Sequence, residues 1–141
     1  MPQYWLIKTE PATYSLADLE RDGHTTWDGV KNALALIHLR AMREGDELLI
    51  YHSGKEKAVV GRARVDAPPR TDGKATVVDV RFEARLSAPV LLAAIKTEPA
   101  LAGLPLIRNT RLSVMPVTAD EWEAVHRLAR LGQGPMRLSR A

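Results

Sequence analysis

The sequence predicts a single α+β domain, and three observations carry that prediction. The first is size: 141 residues, 45% hydrophobic and 26% charged, make one compact unit that buries roughly 68% of its unfolded surface. The second is a central run of three segments with strand alternation, 47–52, 58–65 and 75–86, separated by Ser53-Gly54 and by a turn cluster at 68–73. The third is a set of helical patterns on both sides of that run, opened by capping residues or closed by glycine.

Taken in order, YWLIKT at 4–9 is rich in aromatic and aliphatic residues and predicts a buried first strand, ended by Pro11. Ser15 and Asp18 form a short capping box, Leu16 and Leu19 share a face, and a brief helix runs to Arg21 before Asp22-Gly23 stops it. The stretch 24–29 reads as a polar loop. Leu36, Leu39 and Arg40 have helical spacing, so a second helix is expected over 33–43, ending at Gly45. After the three-strand meander, 88–95 reads as a helix with Pro89 in its first turn. Alternation returns at 111–117, where Pro116 marks an edge or an end. Thr118 and Glu121 then cap a helix whose Trp122, Val125, Leu128 and Ala129 lie on one face, closed at 132–135. The domain is therefore expected over 1–132, with 133–141 a basic arm carrying Arg137 and Arg140. The hexapeptide IKTEPA occurs at 7–12 and again at 95–100, but the flanks differ and the repetition reads as chance.

Composition narrows the function. Without cysteine there is no disulfide framework, thiolate zinc site or cysteine nucleophile, and an intracellular, cytoplasmic protein is the economical expectation. No apolar run approaches the ~20 residues of a membrane span. The net charge of +3 is misleading, because four arginines and no acid lie beyond His126. Positions 1–126 hold 16 basic and 17 acidic side chains, a net of −1. Any nucleic-acid site is thus a local pocket or stripe and not a broad polycationic track.

His24, His38, His52 and His126 show no metal-ligand spacing, the sequence has no nucleophile elbow, and its glycines are scattered singly at turns. No metal, cofactor or catalytic set is expected. Glu10 and Asp28 are the one carboxylate pair that could act as a general base on a small molecule, the alternative from another class. The informative segment is TWDGVKN at 26–32, where a tryptophan sits in a loop beside an Asp-Gly turn. Such a ring either plugs the core or lines a pocket.

The blocks YWLIKTEPATYSLADL, WDGVKN, GDELLIYHS followed by VVG, and PALAGLPLIRNTRLSVMPVT followed by EW, occur in that order along essentially the whole chain. In this the sequence resembles the EVE domain family. The resemblance implies a PUA-like fold, a mixed β-barrel flanked by short helices and related to YTH domains. It also implies a non-catalytic module that reads a modified nucleobase in DNA or RNA through an aromatic-lined pocket; that such a module works as a monomer is a separate expectation. Carried onto this chain, the pocket comprises Lys8, Thr9 and Glu10; Trp27, Asp28 and Asn32; and Tyr51, His52 and Ser53, with Trp27 stacking on the base. Lys31, Arg108 and Arg111 serve flanking phosphates. The chain departs from the family pattern after Ala35, where Leu36 and Ile37 replace a polar run, and Ala33 stands where an aromatic is usual.

Overall fold

The sheet is organised around β1 (Tyr4–Thr9) of the computed structural model, which describes the backbone of residues 2–140 and the side chains of residues 2–132. β1 pairs in parallel with β3 (Glu47–His52) and antiparallel with β7 (Val114–Val117). β3 leads antiparallel into β4 (Ala58–Val65), β4 into β6 (Ala75–Leu91), and β6 into β2 (His24–Trp27), giving the order β2-β6-β4-β3-β1-β7. β5 (Arg70–Asp72) folds back on the start of β6 as a hairpin. The α+β class is as expected, but the sheet is open. β2 and β7 end the path, and no strand pairing joins them among the described residues. Closure requires the two ends to meet in a consistent stagger, and here each end is a strand of only four residues.

Local chemistry explains the helices. α1 (Leu16–Asp22) begins with a full capping box: Asp18 N donates to Ser15 Oγ at 3.1 Å, and Ser15 N donates to Asp18 Oδ2 at 2.9 Å. It buries Leu16 and Leu19. Leu16 lies so close to β4 that a Cβ at Gly61 would approach its Cδ2 to 2.5 Å, so glycine there is a packing requirement. α2 (Ala33–Ala41) is capped by Asn32, whose Oδ1 accepts from Ala35 N at 3.0 Å, and it buries Ala35 and Leu39. α3 (Leu92–Thr97), a single 3₁₀ turn and α4 (Pro105–Arg108) cross to β7. α5 (Ala119–Arg140) opens on a second reciprocal box, Glu121 N to Thr118 Oγ1 at 3.1 Å and Thr118 N to Glu121 Oε1 at 2.9 Å. The basic arm expected over 133–141 falls on side chains outside the described residues. No described helix is long and apolar enough to cross a membrane.

Three segments differ from expectation: the last helix is not closed at 132–135 but continues to Arg140, and two others change type. The 24–27 stretch is a strand, not a loop: it pairs with 78–81 of β6, and Thr25, Thr26 and Trp27 suit that role. The 88–91 stretch is also strand, because β4 offers partners, with Val90 beside Val59 and Leu91 beside Ala58. Pro89 falls where the register slips between Val59 and Gly61, the place where a missing N–H costs least. The core centres on β1 and β3: Leu6, Ile7, Leu48, Leu49 and Ile50 are fully buried. Neighbouring strand residues point to opposite faces, so both faces of β3 are covered.

Candidate functional site

At the end of β1 the chain makes a tight turn. Thr13 N and Tyr14 N both donate to Glu10 O at 2.9 Å, and Thr9 Oγ1 donates to Tyr14 O at 2.6 Å. Pinned this way, the turn faces β2 and its exit across an open cleft of about 550 Å³. Lys8, Thr9, Glu10, Thr13 and Tyr14 form one wall; Thr25, Thr26, Trp27, Asp28 and Gly29 form the other. Gly29 has φ +77°, the left-handed conformation that lets the chain leave β2 sharply. The volume lies within the roughly 300–1,000 Å³ of small-ligand sites.

The aromatic corner is Tyr14 against Trp27, edge to face, with ring centroids 6.2 Å apart and planes at 86°. Trp27 is only 9% exposed and belongs to the core cluster as well as to the cleft. Both sequence readings of this tryptophan, plug and pocket wall, therefore describe it. Tyr14 is half-buried, and its hydroxyl donates to Asp22 Oδ2 at 2.8 Å. Burial, then that hydrogen bond, raises its pKa. Lys8 Nζ donates to Thr110 O at 3.0 Å and lies 5.8 Å from the ring centroid of Tyr51, its register partner on β3. Burial pulls the Lys8 pKa below its ordinary value and pushes that of Tyr51 up. Thr26 Oγ1 donates to Asp79 Oδ1 at 2.8 Å, tying the β2 wall to β6.

Five of the nine pocket residues expected from sequence line this cleft: Lys8, Thr9, Glu10, Trp27 and Asp28. The other four do not line it. Asn32 is spent on the α2 cap. Tyr51 is buried beside Lys8. Ser53 supports the end of β1, its backbone N donating to Thr9 O at 2.9 Å and its hydroxyl to the same oxygen at 3.3 Å. His52 lines a smaller cavity of about 240 Å³ with Glu56 and Arg85. Its Nε2 accepts from Leu16 N at 3.0 Å, which assigns the Nδ1 proton to the 2.9 Å contact with Glu56 Oε1. Among the phosphate candidates, Lys31 is exposed two residues past Gly29, and Arg111 is exposed beside the Thr110 carbonyl that holds Lys8. Arg108 Nε donates to Ala102 O at 3.3 Å.

Thr13, Tyr14 and Thr25 line the cleft without having been singled out in the sequence, and Thr26 and Gly29 line it from within the TWDGVKN segment though neither was assigned to the pocket. Tyr14 had a signal: an aromatic directly before an N-cap serine occupies the position that fixes a helix's entry angle. Among the described residues no three His, Asp or Glu side chains group as metal ligands do.

Comparison with known proteins accounts for nearly the whole chain. The EVE domain family model matches residues 3–128. Thymocyte nuclear protein 1 of Mus musculus is 29% identical over 164 residues, which takes in 89% of this chain and 73% of that protein. An NMR structure of a Rhodopseudomonas palustris protein superposes with a TM-score of 0.87 at 40% identity, covering 92% of this chain and 94% of that one. The crystal structure of human THYN1 protein in complex with 5-methylcytosine containing DNA superposes with a TM-score of 0.85 at 28% identity, over 90% of this chain and 97% of the other. The chain belongs to the EVE domain family.

Proposed function

We propose that this chain binds DNA carrying a modified cytosine of the 5-methyl class, takes that one base into the cleft between β1 and β2, and leaves it chemically unchanged. The observation that carries the reading is the cleft's composition, an aromatic corner beside a cation and a ring of hydroxyl and carboxylate groups. It occurs in a chain that aligns almost end to end with a human protein solved with 5-methylcytosine containing DNA. A base stacked on an aromatic ring gains roughly 1–3 kcal/mol, and extruding it costs a few kcal/mol. Stacking alone barely breaks even, so discrimination has to come from polar contacts. Thr9, Glu10, Thr13, Thr26 and Asp28 bring donors and acceptors to the Watson–Crick edge.

At 9% exposure Trp27 offers a base its rim and not a full ring face, whereas half-buried Tyr14 offers more. Tyr14 is therefore the stacking surface and Trp27 its backing. Lys31 and Arg111 contact phosphates beside the extruded base. One chain supplies both walls of the cleft, so the reading needs no second copy. With a nearly neutral body, affinity follows the identity of one base more than strand length, and its salt dependence is shallow.

The test is a binding titration with duplexes of one sequence bearing cytosine or 5-methylcytosine at a single position, together with the matching RNA. The reading expects the methylated DNA to bind tightest, by about tenfold, which needs only about 1.4 kcal/mol of differential contact. It also expects the oligonucleotide mass to be unchanged after incubation. Equal affinity for both DNA duplexes, or tighter binding of RNA, overturns it. Base release or mass change would place Glu10 or Asp28 in a general-base role instead.

A further inference from the structure

Immediately beyond the cleft, the sequence from Gly29 to Arg43 contains no acidic residue but includes Lys31, Arg40 and Arg43. α2 occupies most of this stretch and turns only one side inward. Ala35 and Leu39 are fully buried, whereas Leu34 and Ile37, one helical turn apart, are 43% and 59% exposed. These are two of only four large apolar side chains exposed on the described surface, and no charge lies between them in sequence. Lys31 precedes the helix and Arg40 follows Ile37 by three residues, both exposed. Arg40 is oriented by a hydrogen bond from Nε to Thr76 Oγ1 at 3.2 Å.

An apolar strip flanked by cations, with no carboxylate in its own stretch of chain, is complementary to a surface that alternates apolar faces with phosphates. Nucleic acid presents apolar base and sugar faces between rows of phosphates. We infer that the outer face of α2 is a second DNA contact, in which Leu34 and Ile37 seat against the duplex beside the extruded base while Lys31 and Arg40 meet its phosphates. This deepens the function proposed above and rests on it. The chemistry follows from what extrusion does to a duplex. Removing a base exposes the faces of its neighbours and leaves its former partner unpaired. Aliphatic side chains placed there recover apolar contact that stacking has lost, as the wedges of groove-binding proteins do. α2 starts four residues after Gly29 on the cleft wall, so helix and cleft meet the same segment of a bound duplex.

The test compares two ligands on the full chain: a duplex with one 5-methylcytosine, and a single-stranded trinucleotide with the same base at its centre, which fills the cleft but is too short to cover α2. The double variant Leu34→Ser/Ile37→Ser is expected to weaken duplex binding roughly tenfold, the scale of two half-exposed aliphatic side chains losing an apolar partner. Trinucleotide affinity and melting temperature should stay at wild-type values. Arg40→Gln, which keeps a donor for Thr76, should lower the salt slope of duplex binding alone. If the double variant binds the duplex as wild type does, or loses both ligands equally, the inference is overturned while the cleft reading stands. A wild-type chain that sediments as a dimer and becomes monomeric in the double variant also overturns it, assigning the strip to self-association. If wild-type protein binds neither ligand, the reading on which the inference rests has failed first and takes it down.

Discussion

Tyr14 and Trp27 meet edge to face at 6.2 Å across the corner where the first turn of the chain approaches the end of β2. Only Tyr14 keeps substantial contact with solvent there. The pair joins the core to the cleft, so the two rings should respond differently to replacement.

Trp27→Ala removes a buried indole and should cost about 3–5 kcal/mol of stability. Tyr14→Ala should cost less stability and more of the preference for the modified base. Denaturant unfolding of both variants, beside titration with methylated and unmethylated duplexes, separates the roles. A Tyr14→Ala protein that discriminates as well as wild type would remove the tyrosine from the site.

His52 tests the opposite side of β3. With its Nε2 accepting from Leu16 N and its Nδ1 held by Glu56, the ring is committed to structure. His52→Ala leaves the Leu16 amide without its acceptor and should destabilise the protein by about 1–3 kcal/mol. The ratio of affinities for methylated and plain DNA, measured well below the melting temperature, should not move.

Gly54 stands against Glu10. Its φ is +77°, and a Cβ added there would come within 2.5 Å of Glu10 Oε2. Gly54→Ala should cost on the order of 1 kcal/mol from the backbone alone and push the carboxylate away from its place at the cleft rim. In a Glu10→Ala background the steric part disappears and the backbone part remains. A double-mutant cycle therefore reads the contact as a coupling energy, and a coupling of zero denies the contact.

Acid should loosen the β2 wall. Hydrogen bonds from the Thr26 hydroxyl and then the Arg70 guanidinium hold the Asp79 carboxyl below the usual carboxylate range. A carboxyl depressed in the folded state adds stability above its unfolded pKa of about 3.9, and that stability is lost as pH falls through the folded value. Asp79→Asn should therefore lower the melting temperature near about pH 6 and flatten its decline toward about pH 3. Parallel curves for the two proteins would show that the carboxylate carries no such linkage.

The legible parts of the fold are those whose instructions are local. Ser15 with Asp18 and Thr118 with Glu121 specify helix starts within four residues, and both form as reciprocal hydrogen bonds. β1, β3 and β4 announce themselves by apolar runs long enough to stand above noise. What was not legible depends on partners far along the chain. Residues 24–27 are strand because β6 lies beside them, and 88–91 are strand because β4 does. The hexapeptide IKTEPA makes the point within one molecule: its first three residues end β1 in one copy and end α3 in the other. The cleft was half legible for the same reason. Lys8 to Glu10 and Trp27-Asp28 lie in compact blocks, whereas the alternation of β3 does not reveal that His52 is drawn away toward Leu16.

A sheet that stops short of closing has two free margins, and free margins invite other chains to add strands. Here each margin is too poor a template to be copied. β2 offers four residues before Gly29 turns the backbone away, and β7 offers four that include Pro116, which has no amide hydrogen to give. The gap beside β2 can thus stay open to a ligand without exposing the protein to runaway self-pairing. Lengthening β2, for instance by replacing Gly29 with a β-branched residue, would be expected to trade solubility for a better strand.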